Sequence, residues 1–435
     1  MRRLRFKQFL RERNQFSRNG DETLLSVSEY YGVKPRSEAF ESEEHESRAA
    51  TLEGYRIVQA DDLVMNYMLA WKGAYGVSSH NGIVSPAYSV FAIDQSVADV
   101  RYLHHRVRSD DMKAYFRSRS KGIIDSRLRL YPDSLLASYV ELPDLPTQRA
   151  IADFLDRETA RIDLLIEKKQ RLVALLGEKT RSVINRATTV GFRDCETRIS
   201  DEKWLGEVAS HWRITPIKWF ARLQSGYAFK ADRFGDFGTP LVRMNNLKRG
   251  VLDLSDAVSI ADDDVNESVL LRAGDILIGM SGSIGETGSL GNFAIVTERD
   301  LPCLLNQRVG RFQLVGKDLL PEYLTLVIQS AAFLDPIFLA ATSTAQFNVS
   351  PSQIGSVLFA LPPIVEQQEI VDEISKRLVG LNHVKERSLI SIDRLREYRS
   401  ALITAAVTGQ INAAEWGKAG TNERQLDAIQ AEMEH

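Results

Sequence analysis

The chain has 435 residues, with 55 Lys and Arg against 58 Asp and Glu and a formal net charge of −3. At roughly 150 residues per domain the length suggests about two or three domains, and 44% hydrophobic with 26% charged residues is ordinary for a soluble protein with ample core. Two distant cysteines, Cys195 and Cys303, exclude a disulfide framework or Cys-rich zinc module. No apolar run reaches the roughly 20 residues of a membrane span. The basic N-terminus MRRLRFKQFLRERNQF lacks the apolar stretch of a secretory signal, so the cytoplasm is the expected compartment.

Near-neutrality is an average over uneven segments. Residues 1–20 carry seven Lys and Arg against one acid, and residues 101–129 and 203–250 each carry nine against three. The acids concentrate in Glu38–Glu46 and Asp253–Asp275. A partner feels local charge rather than the total, so nucleic acid stays open as a partner.

In chain order, residues 1–141 mix strand and turn signals with one helix. YRIVQADDLVMNYM (55–68) and SPAYSVFAI (85–93) have strand character, and VRYLHHRVRSDDMKAYFRS (100–118) has that of a basic helix, its His104–His105 pair solvated. Residues 142–191 form a long helix. Pro143 and Pro146 force an extended lead-in, and Leu155, Ile162, Leu176 and Val183 follow a seven-residue register. Residues 192–360 return to mixed character: VLLRAGDILIGM (269–280) is a Gly-punctuated strand, GRFQLV (310–315) another, and PEYLTLVIQSAAFL (321–334) an amphipathic helix. Residues 361–412 form a second long helix with Ile374, Leu381, Leu395 and Leu402 in register, and 413–435 a polar tail.

This order is one unit used twice. LPDLPTQRAI (142–151) returns as LPPIVEQQEI (361–370), and the 219-residue shift holds without a gap through the helix. Both seams are interrupted at one heptad position, by Lys169 and Ser388, as register-fixing polar residues do. The expected fold is α+β: two globular α/β domains separated by two long helices that form an antiparallel coiled coil, a pseudo-twofold internal repeat. Residues 192–212, including WLGEVASHW, have no counterpart ahead of residue 1.

Catalytic signals are thin. The run GDILIGMSGSIGETGSLG (274–291) lacks the GK[ST] of a P-loop and the strand–GxGxxG–helix context of a dinucleotide site, and suits tight turns better. No GxSxG elbow, HExxH helix or Cys/His metal spacing is found. Binding fits better. Two basic modules on stiff helices suit duplex DNA, a uniformly anionic rod with a groove repeat of about 34 Å. In SGYAFKADRFGDFGTPLVRMNNLKRG (225–250), Arg243 can fork onto a guanine, Asn245 and Asn246 can pair with an adenine edge, and Lys230, Lys248 and Arg249 suit phosphates. TSTAQFNVS (342–350) adds Gln346 and Asn348, and SRSKGIIDSRLRL (118–130) adds Arg119, Lys121 and Arg127.

The arrangement resembles the specificity subunit of type I restriction–modification enzymes over nearly the whole chain. The module-to-helix junctions carry the resemblance most specifically: LPPIVEQQEIVDEI has the family's L-P-P-x-x-E-Q form, while LPDLPTQRAIADFL departs from it at Asp144 and Thr147. GDIL (274–277), LNQR (305–308), PEYL (321–324), TSTAQFNVS and WLGEVASHW support it, as does LLSVSEYYGVKPR (24–36), which ends on the candidate contact Arg36. The resemblance implies two target recognition domains (1–141 and 192–360), each reading half of a bipartite double-stranded DNA site. It implies spacer helices that dock two DNA methyltransferase subunits and, through them, restriction/translocase subunits. S-adenosylmethionine, ATP and Mg would then belong to those partners, with no cofactor, catalysis or membrane contact in this chain. The alternatives are a specificity subunit of a related, differently organised system, a coiled-coil scaffold whose basic segments bind an acidic protein, and a stand-alone nuclease, for which no acidic metal cluster is found.

Overall fold

The computed structural model describes residues 1–39, 51–122, 127–261, 267–285, 288–343 and 347–411. The chain divides into two compact units, Met1–Arg171 with Arg387–His435, and Leu172–Glu386. The long helices run Leu145–Thr189 and Ile364–Val407. Each unit therefore holds one globular module, part of the first long helix and the opposite end of the second.

Both modules are built to one plan. In unit 1, Arg2–Arg5 pairs antiparallel with Tyr139–Leu142, the strand that feeds the first long helix. In unit 2, Arg213–Pro216 pairs with Leu358–Leu361, which feeds the second. The central sheet of unit 1 runs Leu10–Glu12, Tyr88–Ile93, Leu63–Asn66, Tyr75–Val77 from edge to edge, with every pairing antiparallel. Unit 2 repeats this order with Ala221–Ser225, Val309–Leu314, Ile276–Gly279 and Phe293–Ile295. The strands expected at 55–68 and 269–280 are shorter than the apolar pattern suggests. The first divides into Arg56–Val58 and Leu63–Asn66, with Asp61 at φ 72° turning the chain between them.

The expected helix over 100–118 is two helices, Val100–Arg108 and Asp110–Arg119, broken at buried Ser109. Its counterpart is likewise broken at buried Ser330, between Pro321–Val327 and Ala331–Ala340. Both serines are extended (ψ 154° and 149°), and each hydroxyl donates to the carbonyl three residues back, Arg106 O or Val327 O, at 2.7 Å. A serine that takes a helical carbonyl for itself ends one helix and starts the next. The far long helix then helps cap the restart. Asp110 N–H donates to Thr404 Oγ1 (3.1 Å) and Ala332 N–H to Asn185 Oδ1 (3.2 Å), side chains at matching positions of opposite long helices.

The junctions are locked by a repeated glutamine. Gln148, 1% exposed, donates to Val97 O (3.1 Å) and Pro143 O (2.9 Å) and accepts from Asp99 N–H (2.8 Å). Gln367, 0% exposed, donates to Asp318 O (2.7 Å) and Pro362 O (2.9 Å) and accepts from Leu320 N–H (2.9 Å). Each side chain ties the start of a long helix to the turn that opens its module's helical pair.

Leu155, Ile162, Leu395 and Leu402 are buried in the core of unit 1, where the first long helix begins and the second ends, so the two run antiparallel. Ile374 is buried in unit 2 with Ile184, Ala187 and Ile370, and Val183 packs half-buried against that cluster. Leu176 and Leu381 are half-buried and join neither core. Ser388 is buried and Lys169 half-buried. Ser391, 1% exposed, has a hydroxyl with no partner among the described residues. Removing an unsatisfied buried hydroxyl without opening a large void is expected to stabilise, so Ser391→Ala should raise stability by about 1 kcal/mol in urea unfolding. A lower midpoint would show that the hydroxyl has a partner.

Candidate nucleic-acid interface

In unit 2 three sequence segments meet. Tyr227 N–H donates to Leu305 O (3.0 Å) and Gln307 N–H to Tyr227 O (3.0 Å), which lays SGYAF beside LNQR. Gly226 makes this possible: a Cβ there would fall 2.1 Å from Leu305 O. Ser281 pairs with Asn348 across a short antiparallel ladder, and Asn348 Oδ1 accepts from the Ser281 hydroxyl (2.7 Å) and an Arg308 guanidinium nitrogen (2.8 Å). Exposed Gln307 and Arg308, half-exposed Tyr227 and partly buried Asn348 thus share one edge. Arg308 was legible within LNQR, yet its residue type alone did not separate it from other exposed arginines. Gln346 lies outside the described residues.

The 225–250 segment divides sharply. Lys230, Lys248 and Arg249 are exposed. Asn246 is 0% exposed and its amide is fully used. Its Oδ1 accepts from Arg243 N–H (2.8 Å), and its Nδ2 donates to Asp253 O (2.9 Å) and Asp256 Oδ1 (3.0 Å). Asn245 donates to Asp256 Oδ2 (3.1 Å), and the half-buried Arg243 guanidinium points to Asp256 O (3.4 Å). Asn246 thus closes the turn from inside instead of facing an adenine edge, and Asp256 draws Arg243 and Asn245 back toward the protein.

Unit 1 shows a similar inward pull. Arg101 bridges Asp153 (2.8 Å) and Asp156 (3.0 Å), Arg106 pairs with Asp111 (2.8 Å), and the buried His105 Nε2 lies 3.0 Å from Asp156 Oδ1. Much of the basic excess in 101–129 therefore holds the module to the first long helix and closes its own turn. Arg119, Lys121 and Arg127 are exposed, and Lys121 and Arg129 exchange backbone hydrogen bonds (2.8 and 2.9 Å). Arg36 is half-buried at the start of the Arg36–Ala39 turn of helix.

The histidine pair faces inward rather than being solvated. His104 Nδ1 accepts from Val77 N–H (3.2 Å), and its ring sits against Gly32 and Gly76, where added Cβ atoms would meet it at 3.1 and 3.2 Å. Burial first, and the nearby Arg108 charge second, pull it down to about 3 from 6.5. Below pH 6.5 the unfolded chain takes up a proton that the folded chain refuses. The stability His104 contributes is therefore complete above that pH and falls toward pH 3, by about 2 kcal/mol at pH 5. Urea unfolding at pH 7.5 and 5 is expected to show this loss in the parent and a smaller one in His104→Asn; equal losses would remove His104 as the cause.

Among the described residues, no three His, Cys, Asp or Glu side chains group to hold a metal ion. No single described helix is long and apolar enough to cross a membrane; the bent pair Pro321–Val327 with Ala331–Ala340, which is apolar enough, has most of its apolar side chains in the core of unit 2, with Leu339 exposed.

Two like-built modules, each joined to parts of both long helices, make one duplicated architecture, and known proteins resemble it. The type I restriction modification DNA specificity domain matches residues 210–390. The type I restriction enzyme EcoAI specificity subunit of Escherichia coli is 32% identical over 189 residues, 43% of this chain and 32% of that protein. The MjaVIII specificity subunit of Methanocaldococcus jannaschii is 21% identical over 82% of this chain and 80% of that protein. The EcoKI specificity subunit of Escherichia coli K12 is 21% identical over 82% and 76%. A chain from a solved structure concerned with complex assembly and conformational transition of the type I R-M system shares the fold, with TM-score 0.65 and 13% identity over 93% of this chain and 97% of that one. Residues 210–390 therefore match the type I restriction modification DNA specificity domain, and the chain spans about a third of the first of these relatives and most of the length of the other two. The reading as a scaffold for an acidic protein has no support among these relatives.

Proposed function

We propose that this chain selects DNA for a type I restriction–modification complex by reading a bipartite duplex site, one half-site through each module. The observation that carries this reading is the duplication: one sheet order, one Ser-broken helical pair and one glutamine lock, used twice. In unit 2 the edge holding Arg308 and Asn348, with exposed Lys230 and Lys248, supplies phosphate and base-edge chemistry.

The long helices dock DNA methyltransferase subunits, two by the repeat, and through them the restriction/translocase subunits. Large apolar side chains left exposed on these helices support this: Leu164, Leu389 and Ile390 in unit 1, and Leu172, Leu175 and Val379 in unit 2. S-adenosylmethionine, ATP and Mg belong to those partners, whose adenine methylation and ATP-driven cleavage need no group from this chain. The complex works in the cytoplasm, where its DNA is.

The assembled complex is expected to select, from a randomised duplex pool, two fixed half-sites separated by a fixed gap. Binding should weaken steeply with salt and sharpen when methyltransferase subunits are added to the chain. Selection of no sequence by the assembled complex would end this reading.

A further inference from the structure

Unit 1 holds an open recess of about 390 Å³, lined in part by the LLSVSEYYGVKPR segment but by none of the candidate DNA contacts named from the sequence. One wall is the tip of the hairpin joining Leu25–Ser28 to Gly32–Pro35, and contributes Ser28, Glu29, Tyr30 and Tyr31. Leu69 and Lys72, around the Ala70–Lys72 turn, form the other. Tyr30 is 82% exposed and Leu69 44%. An aromatic so far out on a hairpin tip gains nothing from the fold's own core.

The walls are nevertheless fixed. The Arg108 guanidinium donates to Ser28 O (3.4 Å), Glu29 O (3.0 Å) and Tyr30 O (2.8 Å) on the hairpin side, and to Gly73 O (3.3 Å) and Tyr75 O (2.8 Å) on the other. Burial lowers it to about 10, so it stays charged at neutral pH. One arginine thus rivets both walls and presents Tyr30 on a rigid backing.

Cations surround the recess. Exposed Lys72 (5.2 Å) and the Arg117 guanidinium (5.4 Å) lie over the Trp71 ring, and exposed Lys34 lies 5.8 Å from the Tyr31 ring. Exposed aromatic and aliphatic faces beside lysines suit a nucleotide, whose base has flat apolar faces, whose sugar presents C–H groups and whose phosphate is anionic. Glu29, the acid of the lining, would repel a phosphate but accepts from the exocyclic amine of cytosine or adenine.

We propose that this recess is the base-reading element of the first module: Tyr30 and Leu69 pack on a nucleotide of the half-site, Lys72 holds its phosphate, and Glu29 selects an amine-bearing base. The inference rests on the DNA-selecting function above. Its partner chemistry is duplex DNA whose half-site carries cytosine or adenine at the position Glu29 meets.

The test uses the full chain in its assembled complex and a randomised duplex pool. The parent is expected to enrich two half-sites. Tyr30→Ala and Lys72→Ala should weaken binding to the enriched duplex roughly tenfold, and Lys72→Ala should also reduce the slope of log affinity against log salt by about one. Glu29→Gln should relax one base position in one half-site and leave the other half-site unchanged. A fold defect would move neither the salt slope nor a single base preference. If all three variants enrich the parent's sequence with the parent's affinity, the recess does not read DNA. If the parent itself enriches nothing, the proposed function falls and takes this inference with it.

Discussion

Gln367→Ala is expected to lower the stability of unit 2 by about 3–5 kcal/mol in urea unfolding. The side chain is 0% exposed and satisfies Leu320 N–H, Asp318 O and Pro362 O together. Alanine leaves three backbone groups without this partner, one on buried Pro362, one on half-buried Leu320 and one on exposed Asp318, and a buried group costs about 1–3 kcal/mol, less where water reaches it. Gln367→Glu should be no better, because a carboxylate would face two carbonyls where the amide donated to both. Gln148→Ala should cost unit 1 a similar amount, since its three bonds match one for one. The neighbouring Gln368, which bonds only the exposed Asp372 side chain, is the control and should change stability by less than about 0.5 kcal/mol as alanine. Equal effects of Gln367→Ala and Gln368→Ala would remove the glutamine lock as an energetic feature.

This pair also marks how far the sequence could be read. Gln148 and Gln367 are identical across the 219-residue shift, so the repeat was visible, but what the glutamine holds was not. Two of its three partners lie 47–51 residues away, on the turns before each helical pair, and no local pattern points to them. The long helices were legible because a seven-residue apolar register is a local property, whereas the serine breaks at Ser109 and Ser330 were hidden inside patterns that continue across them. The two departures of the first junction have one physical setting. Glu366 Oε2 lies 2.9 Å from His211 Nε2 of WLGEVASHW, and Trp212 packs at the Gly191 that follows the first long helix. Thr147, at the place of Glu366, instead has its backbone N–H held by Asp144 Oδ1 at 2.9 Å.

The candidate interface was legible only in kind. Base reading and turn closure call on the same amide atoms, so a loop rich in Asn and Arg could not reveal that Asn246 faces inward while Lys248 faces out. Charge counting failed for a related reason. Arg101, Arg106 and Arg108 raised the basic count of unit 1, yet each is engaged by carboxylates or carbonyls of its own unit. The recess at Tyr30 has no local signature, because its walls come from segments about 40 residues apart and the arginine that joins them is set apart from a surface arginine only by the fold.

Arg108→Lys is the sharpest test of that rivet. A guanidinium offers donors on two sides of a rigid plane, while an ammonium is a single point with three. Lysine can therefore keep the charge but not reach Ser28, Glu29 and Tyr30 on one wall and Gly73 and Tyr75 on the other. The expected loss is about 2–4 kcal/mol for lysine and more for alanine, which removes the Arg108 donor from all five carbonyls. A second readout separates charge from geometry. The Arg108 charge helps hold His104 near 3, so Arg108→Ala should raise the His104 midpoint in an NMR titration, whereas Arg108→Lys, still cationic, should leave it close to the parent. Loss of the first half-site's sequence preference in Arg108→Lys, with the second half-site retained, would then follow from a recess whose walls have parted while its electrostatics are unchanged. Should Arg108→Lys keep full stability and both half-sites, the walls would not depend on the guanidinium fork, and Tyr30 would be held by the hairpin alone.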